Sequence, residues 1–470
     1  MNFIGRTQEL GTLSSLYDKD SFQMCIVYGR RRVGKTTLLK KFCEGKKCVY
    51  FTAVRSSIEK NTEIFGNKVL DAFAPKMRFL SFNTIESVFD FLAEQCAEDR
   101  VIVVIDEFPY LAEADRGILS VLQNYIDDRF QSSRMFLILS GSSVSFMEDE
   151  VLSEKSPLYG RRTAQMKVEP FGYRESAEFV QSYSPEDKAL VYGITGGVAK
   201  YLSLFDEEKT ADQNIADLFF SKDGYMYEEP SNLLTQEYRN VAMYNSIIDA
   251  VSAGRTKVND ISEKAHLENT VVSHALPKLI TTGIIKKESA ITDEKNNKKN
   301  QYIFKDTSFS FWYRFVPDGT DLIESGDGEL YYEDQVKPYL SDFMGSVFEE
   351  MCRQYLLYLN ADRKLPFLVT KTGKWWGTDP KKKEQTDIDV VGINPRTKEA
   401  VLGECKYKNE LLDKEVFETL KERDGLLKGG YKTRLFMLFS KSGFTKWIKE
   451  NCDPKGVMLV TLDDMYYSVL

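Results

Sequence analysis

Short apolar runs alternate with amphipathic stretches over the first 150 residues. The apolar runs are residues 24–28, 49–52, 101–105 and 135–139, and the stretch 36–42 is suited to a helix. Runs that are apolar at every position are typical of parallel strands buried on both faces. Strands separated by helical stretches predict βαβ units, and therefore an α/β fold with a parallel sheet.

The pattern changes twice further along the chain. From residue 170 to about 239 the strand signal fades into a helical, tyrosine-rich section. Helical stretches at 246–252, 258–264 and 269–281 then precede two short strands, at 284–288 and 301–304, which is the order of a winged helix-turn-helix. After about residue 317 the α/β pattern returns. We therefore predict four domains: an α/β core (1–169), a helical lid (170–240), a winged helix (241–316) and a C-terminal α/β domain (317–470).

Composition limits the function classes. The 470 residues are 42% hydrophobic and 29% charged, as in an ordinary globular protein. No run approaches the 18 apolar residues of a membrane span, and no signal peptide opens the chain, so we expect no membrane partner. Seven cysteines without a CxxC pair favour a reducing cytoplasm over a disulfide framework. The net charge of −8 means that DNA binding requires local basic patches.

Histidine is almost absent. The chain has two, His266 and His274, which nearly excludes histidine-based nucleophilic catalysis and His-rich metal sites. Catalysis is therefore expected to use carboxylates, lysines and bound metal.

Residues 29–36 fit the phosphate-binding pattern G-x-x-x-x-G-K-[ST], between an apolar strand and a helix. The backbone N–H groups of such a loop surround phosphates, and the helix N-terminus adds positive potential. We predict ATP as the ligand, with Lys35 at the β- and γ-phosphates and Thr36 on Mg²⁺. The predicted nucleotide contacts here are Gly29, Arg30, Arg31, Arg32, Val33, Gly34, Lys35, Thr36 and Thr37.

Asp106 and Glu107 end the apolar strand 101–105, at the edge where open α/β sheets bind ligands. We expect Asp106 to complete the Mg²⁺ shell and Glu107 to polarise the attacking water.

These motifs carry a family resemblance. Residues 3–6 with 9–10, the phosphate loop, Asp106-Glu107 and the segment 137–143 resemble the archaeal-type P-loop ATPases of the AAA+/STAND group. The resemblance implies a γ-phosphate sensor at Ser140 or Ser142 and a nucleotide-contacting arginine at Arg161 or Arg162. It also implies a nucleotide-dependent homo-oligomer as a candidate assembly. The chain departs from that family after Gly196-Gly197, where Ala199 stands in place of the usual proline.

The stretch 269–281 occupies the recognition-helix position of the predicted winged helix. Val272, Leu276 and Leu279 are spaced to pack inward. The predicted contacts to DNA bases and phosphates are Thr270, Ser273 and Lys278 on this helix, and Lys298 and Lys299 on the wing. A protein-binding or lid role for the module is the alternative.

The C-terminal section contains a charged pattern on two strands, 386–393 and 400–406, joined by an Asn-Pro turn. Period two puts Glu404 and Lys406 on one face, and Asp389 on the partner strand can lie beside them. An edge hairpin with alternating surface charge would show the same pattern.

Acid, turn and acid-x-lysine resemble the PD-(D/E)XK nucleases. The resemblance implies that Asp389 and Glu404 hold a second Mg²⁺ or Mn²⁺, that Glu349 on an upstream helix supports it, and that Lys406 activates water. Carboxylate oxygens suit these metals. Trp375-Trp376 and residues 381–383 are further candidates for stacking on bases and holding backbone.

Three hypotheses follow. The first is an ATP-hydrolysing switch coupled to a winged helix and a nuclease-like domain that acts on DNA. The second is a regulatory NTPase that controls protein assembly, with the last two domains used for partner binding. The third, a metabolic nucleotide kinase, would need a phosphate-acceptor pocket and does not explain the extra domains.

Overall fold

The computed structural model describes residues 3–77, 80–293 and 299–467. They divide into two compact units, one of residues 1–170 with 198–200 and one of residues 171–197 with 201–470. The first boundary lies one residue after the end of the predicted core. The four predicted domains are a finer division than these two units.

The first unit contains a five-stranded parallel sheet in the order β2-β3-β4-β1-β5. The strands are β1 (Gln23–Tyr28), β2 (Cys48–Thr52), β3 (Val101–Asp106), β4 (Met135–Gly141) and β5 (Ala164–Lys167). The helices are α1 (Thr7–Tyr17), α2 (Lys35–Cys43), α3 (Ile58–Phe73), α4 (Ile85–Gln95), α5 (Phe108–Ala114), α6 (Ile118–Asp128) and α7 (Val144–Phe146). The predicted parallel α/β core is confirmed.

Both faces of this sheet are buried, which explains why its strands are apolar throughout. Val103 and Ile105 point into a core that includes residues of α3 to α6, whereas Ile102 and Val104 point into a second core with residues of α1 and α2. Alternate side chains of one strand therefore join two helical layers to the sheet.

The second unit begins with helices, as the sequence predicted for residues 170–240. They are α8 (Tyr173–Ala177), α9 (Pro185–Thr195), α10 (Ala199–Leu202, whose first two residues belong to the first unit), α11 (Ala211–Phe219) and α12 (Glu229–Glu237).

Three helices and a hairpin follow: α13 (Val241–Ser252), α14 (Val258–Ala265), α15 (Asn269–Thr281), and the antiparallel strands β6 (Ile285–Glu288) and β7 (Gln301–Phe304). Helix α13 begins five residues earlier than expected because the Asn240 side chain accepts a hydrogen bond from the backbone of Met243 and caps the helix.

The remainder of the second unit is α/β. Its helices are α16 (Thr307–Phe315), α17 (Thr320–Ser325), α18 (Gly328–Tyr331), α19 (Leu340–Ala361), α20 (Lys414–Glu422), α21 (Lys446–Asn451) and α22 (Leu462–Tyr467). Its strands are β8 (Lys371–Thr378), β9 (Gln385–Asn394), β10 (Glu399–Lys406), β11 (Lys432–Ser440) and β12 (Val457–Thr461). The sheet order is β12-β11-β10-β9-β8, antiparallel from β8 to β10 and parallel from β10 to β12.

Strand β8 corrects one expectation. Trp375 is only 5% exposed and packs in the core beside Ile388, its cross-strand partner. Its indole is therefore unavailable to stack on bases. Within residues 3–77, 80–293 and 299–467, no helix combines the length and apolar character needed to cross a membrane.

Stacked phenylalanines fix α3 against the first sheet, with the Phe51 and Phe65 rings 4.7 Å apart between centroids. Both side chains are fully buried. We expect Phe65→Ala to lower the free energy of unfolding by about 3–5 kcal/mol, because it leaves a cavity and loses buried area.

Leu80→Ala is the control for that substitution, since Leu80 is 48% exposed. Calorimetric unfolding of the full chain would measure both variants, and the transition that Mg·ATP shifts identifies the first unit. Equal losses in the two variants would contradict the packing described here.

Candidate functional sites

The loop between β1 and α2 has the backbone geometry of a phosphate cradle. Gly29, Arg32 and Gly34 have φ values of 156°, 71° and 94°. A Cβ at Gly29 would lie 2.3 Å from the carbonyl oxygen of Val168, so only glycine fits there. Gly34 caps α2 without a side-chain hydrogen bond, which leaves the first N–H groups of the helix for an anion.

Lys35 lies over this loop. Its Nζ donates to the carbonyl oxygens of Gly29 (2.8 Å) and Arg30 (2.9 Å), and the residue is 5% exposed. The ammonium is therefore held within the predicted phosphate-binding loop.

Asp106, at the end of β3, joins three elements. Its Oδ2 accepts hydrogen bonds from Thr36 Oγ1 on α2 (2.9 Å) and from the Tyr50 hydroxyl on β2 (2.9 Å). The carboxylate is 1% exposed. Burial, and next the charge of Asp106, raise the pKa of Tyr50, so its hydroxyl remains a donor. Thr36 and Asp106 thus place two hard oxygen atoms together, the donor chemistry that Mg²⁺ requires.

Glu107 has a left-handed backbone, φ 53°, at the cap of α5. Its carboxylate accepts hydrogen bonds from the hydroxyl of Ser142 and from the Ser142 backbone N–H (3.3 Å). Ser142 is therefore the serine that contacts the predicted water-activating acid. Ser140 is fully buried on β4, and no described residue hydrogen-bonds its hydroxyl.

Arg161, the predicted nucleotide-contacting arginine, lies away from the phosphate loop and is paired with an acid. Its guanidinium forms a two-point ion pair with Asp127, with Nε–Oδ1 at 2.8 Å, and lowers the pKa of that carboxyl. Arg161 precedes β5, which runs parallel to β1, so it lies at the amino end of the sheet. The phosphate loop follows the carboxyl end of β1. The nucleotide contact was predicted from the place of Arg161 in the motif. The direction of β5 puts the residue at the opposite edge of the sheet from the phosphate loop.

The segment after Gly196-Gly197 also meets the phosphate loop. The backbone N–H of Lys200 donates to the carbonyl of Arg32 (3.1 Å). Ala199 Cβ lies 3.4 Å from where a Cβ of Gly34 would be. The turn at which the sequence lacks the family's proline is thus in van der Waals reach of the loop.

The second candidate site lies where β9 and β10 diverge. Their paired residues end at Val390 and Gly403. Beyond that point Asp389 Oδ2 accepts a hydrogen bond from the backbone N–H of Cys405 (3.1 Å). The Asp389 side chain thus takes the acceptor role that a backbone carbonyl of β9 has in the paired part of the strands. Asp389 and Glu404 are 7% and 6% exposed. We call Glu349, Asp387, Asp389 and Glu404 the acidic fork.

Glu404 is paired with two cations, Lys406 Nζ and Arg423 Nη1, each 2.7 Å from one of its oxygens. This confirms that Glu404 and Lys406 share a face. Burial, and next the charge of Asp389, raise the pKa of Glu404 and also that of Glu349. The predicted acids are therefore close enough to repel one another.

Lys374, on β8, lies between the other three acids of the fork. Its Nζ is 3.1 Å from Glu349, 3.0 Å from Asp387 and 3.3 Å from Asp389. Burial opposes the charge of Lys374, but these carboxylates raise its pKa, so it stays an ammonium. Neither Lys374 nor Arg423 was predicted from the sequence, because no motif spacing marks them.

Carboxylate oxygens of the fork have the chemistry for a divalent cation. In the arrangement described, however, no group of three or more His, Cys, Asp or Glu residues is set up to hold a metal ion. The pairing of each fork acid with lysine or arginine explains this.

The candidate DNA contacts are mostly on one side of α15. Thr270, Ser273 and Lys278 are exposed, whereas Val272, Leu276 and Leu279 are buried as predicted. On the hairpin, Lys299 forms an ion pair with Asp293 (3.0 Å). Lys298 lies outside the described residues.

Two family models match the chain. Residues 3–205 match an ATPase domain predominantly from Archaea, and residues 312–422 match archaeal and bacterial proteins of unknown function. The first match covers the phosphate loop, Asp106 and Glu107. The second covers the acidic fork.

Three individual proteins are also similar to this chain. An uncharacterized protein of Methanocaldococcus jannaschii is 29% identical over 415 residues, 88% of this chain and 89% of that protein. An uncharacterized ATP-binding protein of the same organism is 49% identical over 45 residues, 10% of this chain and 76% of that protein. A Walker-type ATPase of Pyrococcus abyssi superposes with a TM-score of 0.51 at 19% identity, over 66% of this chain and 96% of that chain, which is a likeness of fold. The chain thus contains a P-loop ATPase domain and is an ATPase.

Glu107→Gln tests the water-activating role. We expect ATP affinity near that of wild type and a turnover lower by about 10²–10⁴-fold, because only the general base is lost. Steady-state phosphate release and nucleotide binding measure the two quantities.

Glu113→Gln is the matched control, since Glu113 is on the same helix and forms a surface ion pair with Arg55. If both glutamine variants hydrolyse ATP at the same rate, Glu107 is not the base.

Lys35→Ala is expected to lose nucleotide binding.

Proposed function

We propose that this protein is an ATP-hydrolysing switch that acts on DNA through a winged helix and a nuclease-like C-terminal domain. The observation that carries the ATP-hydrolysing part of the proposal is the juxtaposition of Thr36, Asp106 and Glu107 at the carboxyl edge of the first sheet. A loop for phosphates, oxygens for Mg²⁺ and a carboxylate held by a serine are the parts of an NTP-hydrolysing site.

The residues of the first unit take distinct roles in this proposal. Lys35 and the backbone of the phosphate loop bind the β- and γ-phosphates. Thr36 and Asp106 would hold Mg²⁺, which supplies neutralisation of phosphate charge. Glu107 orients the attacking water, and its hydrogen bonds to Ser142 fix the carboxylate. Ser142 is then the γ-phosphate sensor in preference to Ser140, because its hydroxyl contacts Glu107.

The three helices and hairpin of residues 241–316 support a winged-helix assignment. The order α13-α14-α15-β6-β7 is that of the motif, and α15 buries one face while exposing Thr270, Ser273 and Lys278. Hydroxyl and ammonium groups on the exposed face suit phosphate and base-edge contacts. Lys299 would first have to leave Asp293 to reach a phosphate.

The C-terminal domain supports a nuclease-like assignment. A helix with Glu349, then a strand with Asp389, then a strand with Glu404 and Lys406 occur in the order of the PD-(D/E)XK pattern, and the four side chains belong to one charged cluster. Asp389, Glu404 and Glu349 would hold a second Mg²⁺ or Mn²⁺, which supplies stabilisation of charge on a phosphodiester. Lys406 would orient the attacking water.

The four-domain division, 1–169, 170–240, 241–316 and 317–470, is part of the same proposal. Under the competing hypothesis of a regulatory NTPase, ATP would drive a homo-oligomer instead and the last two domains would bind protein partners. DNA binding distinguishes the two.

Lys278→Glu is expected to weaken duplex binding by similar factors for unrelated sequences, because a lysine on a phosphate contributes no base readout. The slope of log affinity against log salt should become shallower by about 1. Fluorescence anisotropy at several salt concentrations measures both effects.

Lys19→Glu makes the same charge change at an exposed residue after α1 and serves as the control. Identical DNA affinity in the two variants, or none in wild type, would favour the regulatory NTPase.

Lys406→Ala tests cleavage. Wild-type protein with Mn²⁺ is expected to nick plasmid DNA, and the variant is expected to nick it about 10²-fold more slowly, because the water-orienting ammonium is lost. Lys408→Ala, at an exposed lysine two residues further on, should retain activity. Absence of Mn²⁺-dependent nicking in wild type would make the domain a binding module.

A further inference from the structure

Lys374 contacts two of the three acids, Glu349 and Asp389, to which the proposed function assigns a metal. Its Nζ lies within 3.0–3.3 Å of Glu349, Asp387 and Asp389, which come from one helix and one strand. The side chain is 20% exposed, so water screens these contacts only in part. An ammonium with three carboxylate neighbours at such distances has the surroundings of a small coordinated cation.

Each acid of the fork is paired with a lysine or an arginine without a metal. Glu404 is neutralised by Lys406 and Arg423, each at 2.7 Å. Arg353 contributes further positive charge, with Nη1 3.8 Å from Glu349. The remaining acids share Lys374. A divalent cation entering the fork would therefore meet the ammonium of Lys374 and the two cations paired with Glu404.

The Lys374 ammonium and a divalent metal ion would also compete for the same carboxylate oxygens. Mg²⁺ and Mn²⁺ bind oxygens at about 2.0–2.2 Å and demand lone pairs directed at the metal. The lone pairs of Glu349 and Asp389 that face Lys374 are engaged in its hydrogen bonds and ion pairs. Both cations cannot use these oxygens at once, and each repels the other.

We propose that Lys374 is an internal competitor for the metal: its ammonium must leave the fork before a divalent cation binds Asp389 and Glu349. This rests on the proposed nuclease-like site and adds a positioning residue that controls access of the metal to it. A strand residue outside the acid-turn-acid-x-lysine pattern then sets the metal affinity of the domain.

The test measures Mn²⁺ binding to the full-length, nucleotide-free protein by calorimetry and electron paramagnetic resonance, with neither DNA nor ATP present. Lys374→Met is expected to bind one Mn²⁺ at least tenfold more tightly than wild type. Lys374→Arg, which retains a cation, is expected to remain near wild type.

Lys371→Met is the matched control, because it removes one positive charge from the same strand and Lys371 Nζ donates to the carbonyl of Ile291. It should leave Mn²⁺ affinity unchanged. Adding Asp389→Asn to Lys374→Met should abolish the gain, which assigns the new site to the fork.

The proposal is overturned if Lys374→Met binds Mn²⁺ no more tightly than Lys371→Met, or if the gain survives Asp389→Asn. If the methionine variant does not fold, Lys374→Gln with the same two controls gives the deciding comparison. Since no step requires DNA, failure of DNA binding or cleavage would overturn the proposed function, and failure of the Mn²⁺ gain would overturn this inference.

Discussion

The nucleotide site depends on the hydrogen bonds that the buried carboxylate of Asp106 accepts. Its Oδ2 accepts hydrogen bonds from Thr36 and Tyr50, which ties the first turn of α2 and the middle of β2 to the end of β3. Its Oδ1 accepts the backbone N–H of Glu107 (3.1 Å), which fixes the start of α5. A buried carboxylate without these donors would be costly. The same hydrogen bonds that make its burial tolerable therefore position the groups to which the proposed function assigns metal binding and water activation.

The sequence pattern predicted those elements of the fold that are determined by residues close together in the chain. The fully apolar strands, the phosphate loop and the helix Asn269–Thr281 were predicted from neighbouring residues, since burial on both faces and helical spacing leave a direct pattern. Strand β8 was missed as an element. Its Trp-Trp pair was interpreted as a candidate for stacking on bases, although Trp375 packs in the core.

The contacts that sequence could not supply are those between distant elements. Tyr50 reaches Asp106 from 56 positions away, and Arg423 reaches Glu404 from 19. Neither pair carries a spacing signal, because the two partners lie on different elements that are brought together only by the fold. The position of Arg161 shows a related limit: a motif gives its place in the chain, but only strand direction shows that it lies at the opposite edge of the sheet from the phosphate loop.

The two sites satisfy buried carboxylates in different ways, with different consequences for cations. Asp106 and Glu107 accept from hydroxyl and amide groups of Thr36, Tyr50 and Ser142, which are neutral donors and leave the negative charge of the acids intact. The acidic fork is satisfied by lysine and arginine, which cancel that charge. A metal at the first site meets acids that accept hydrogen bonds from neutral groups, whereas a metal at the fork must first displace an ammonium. Donor type, rather than the number of acids, therefore determines how readily each site accepts a divalent cation.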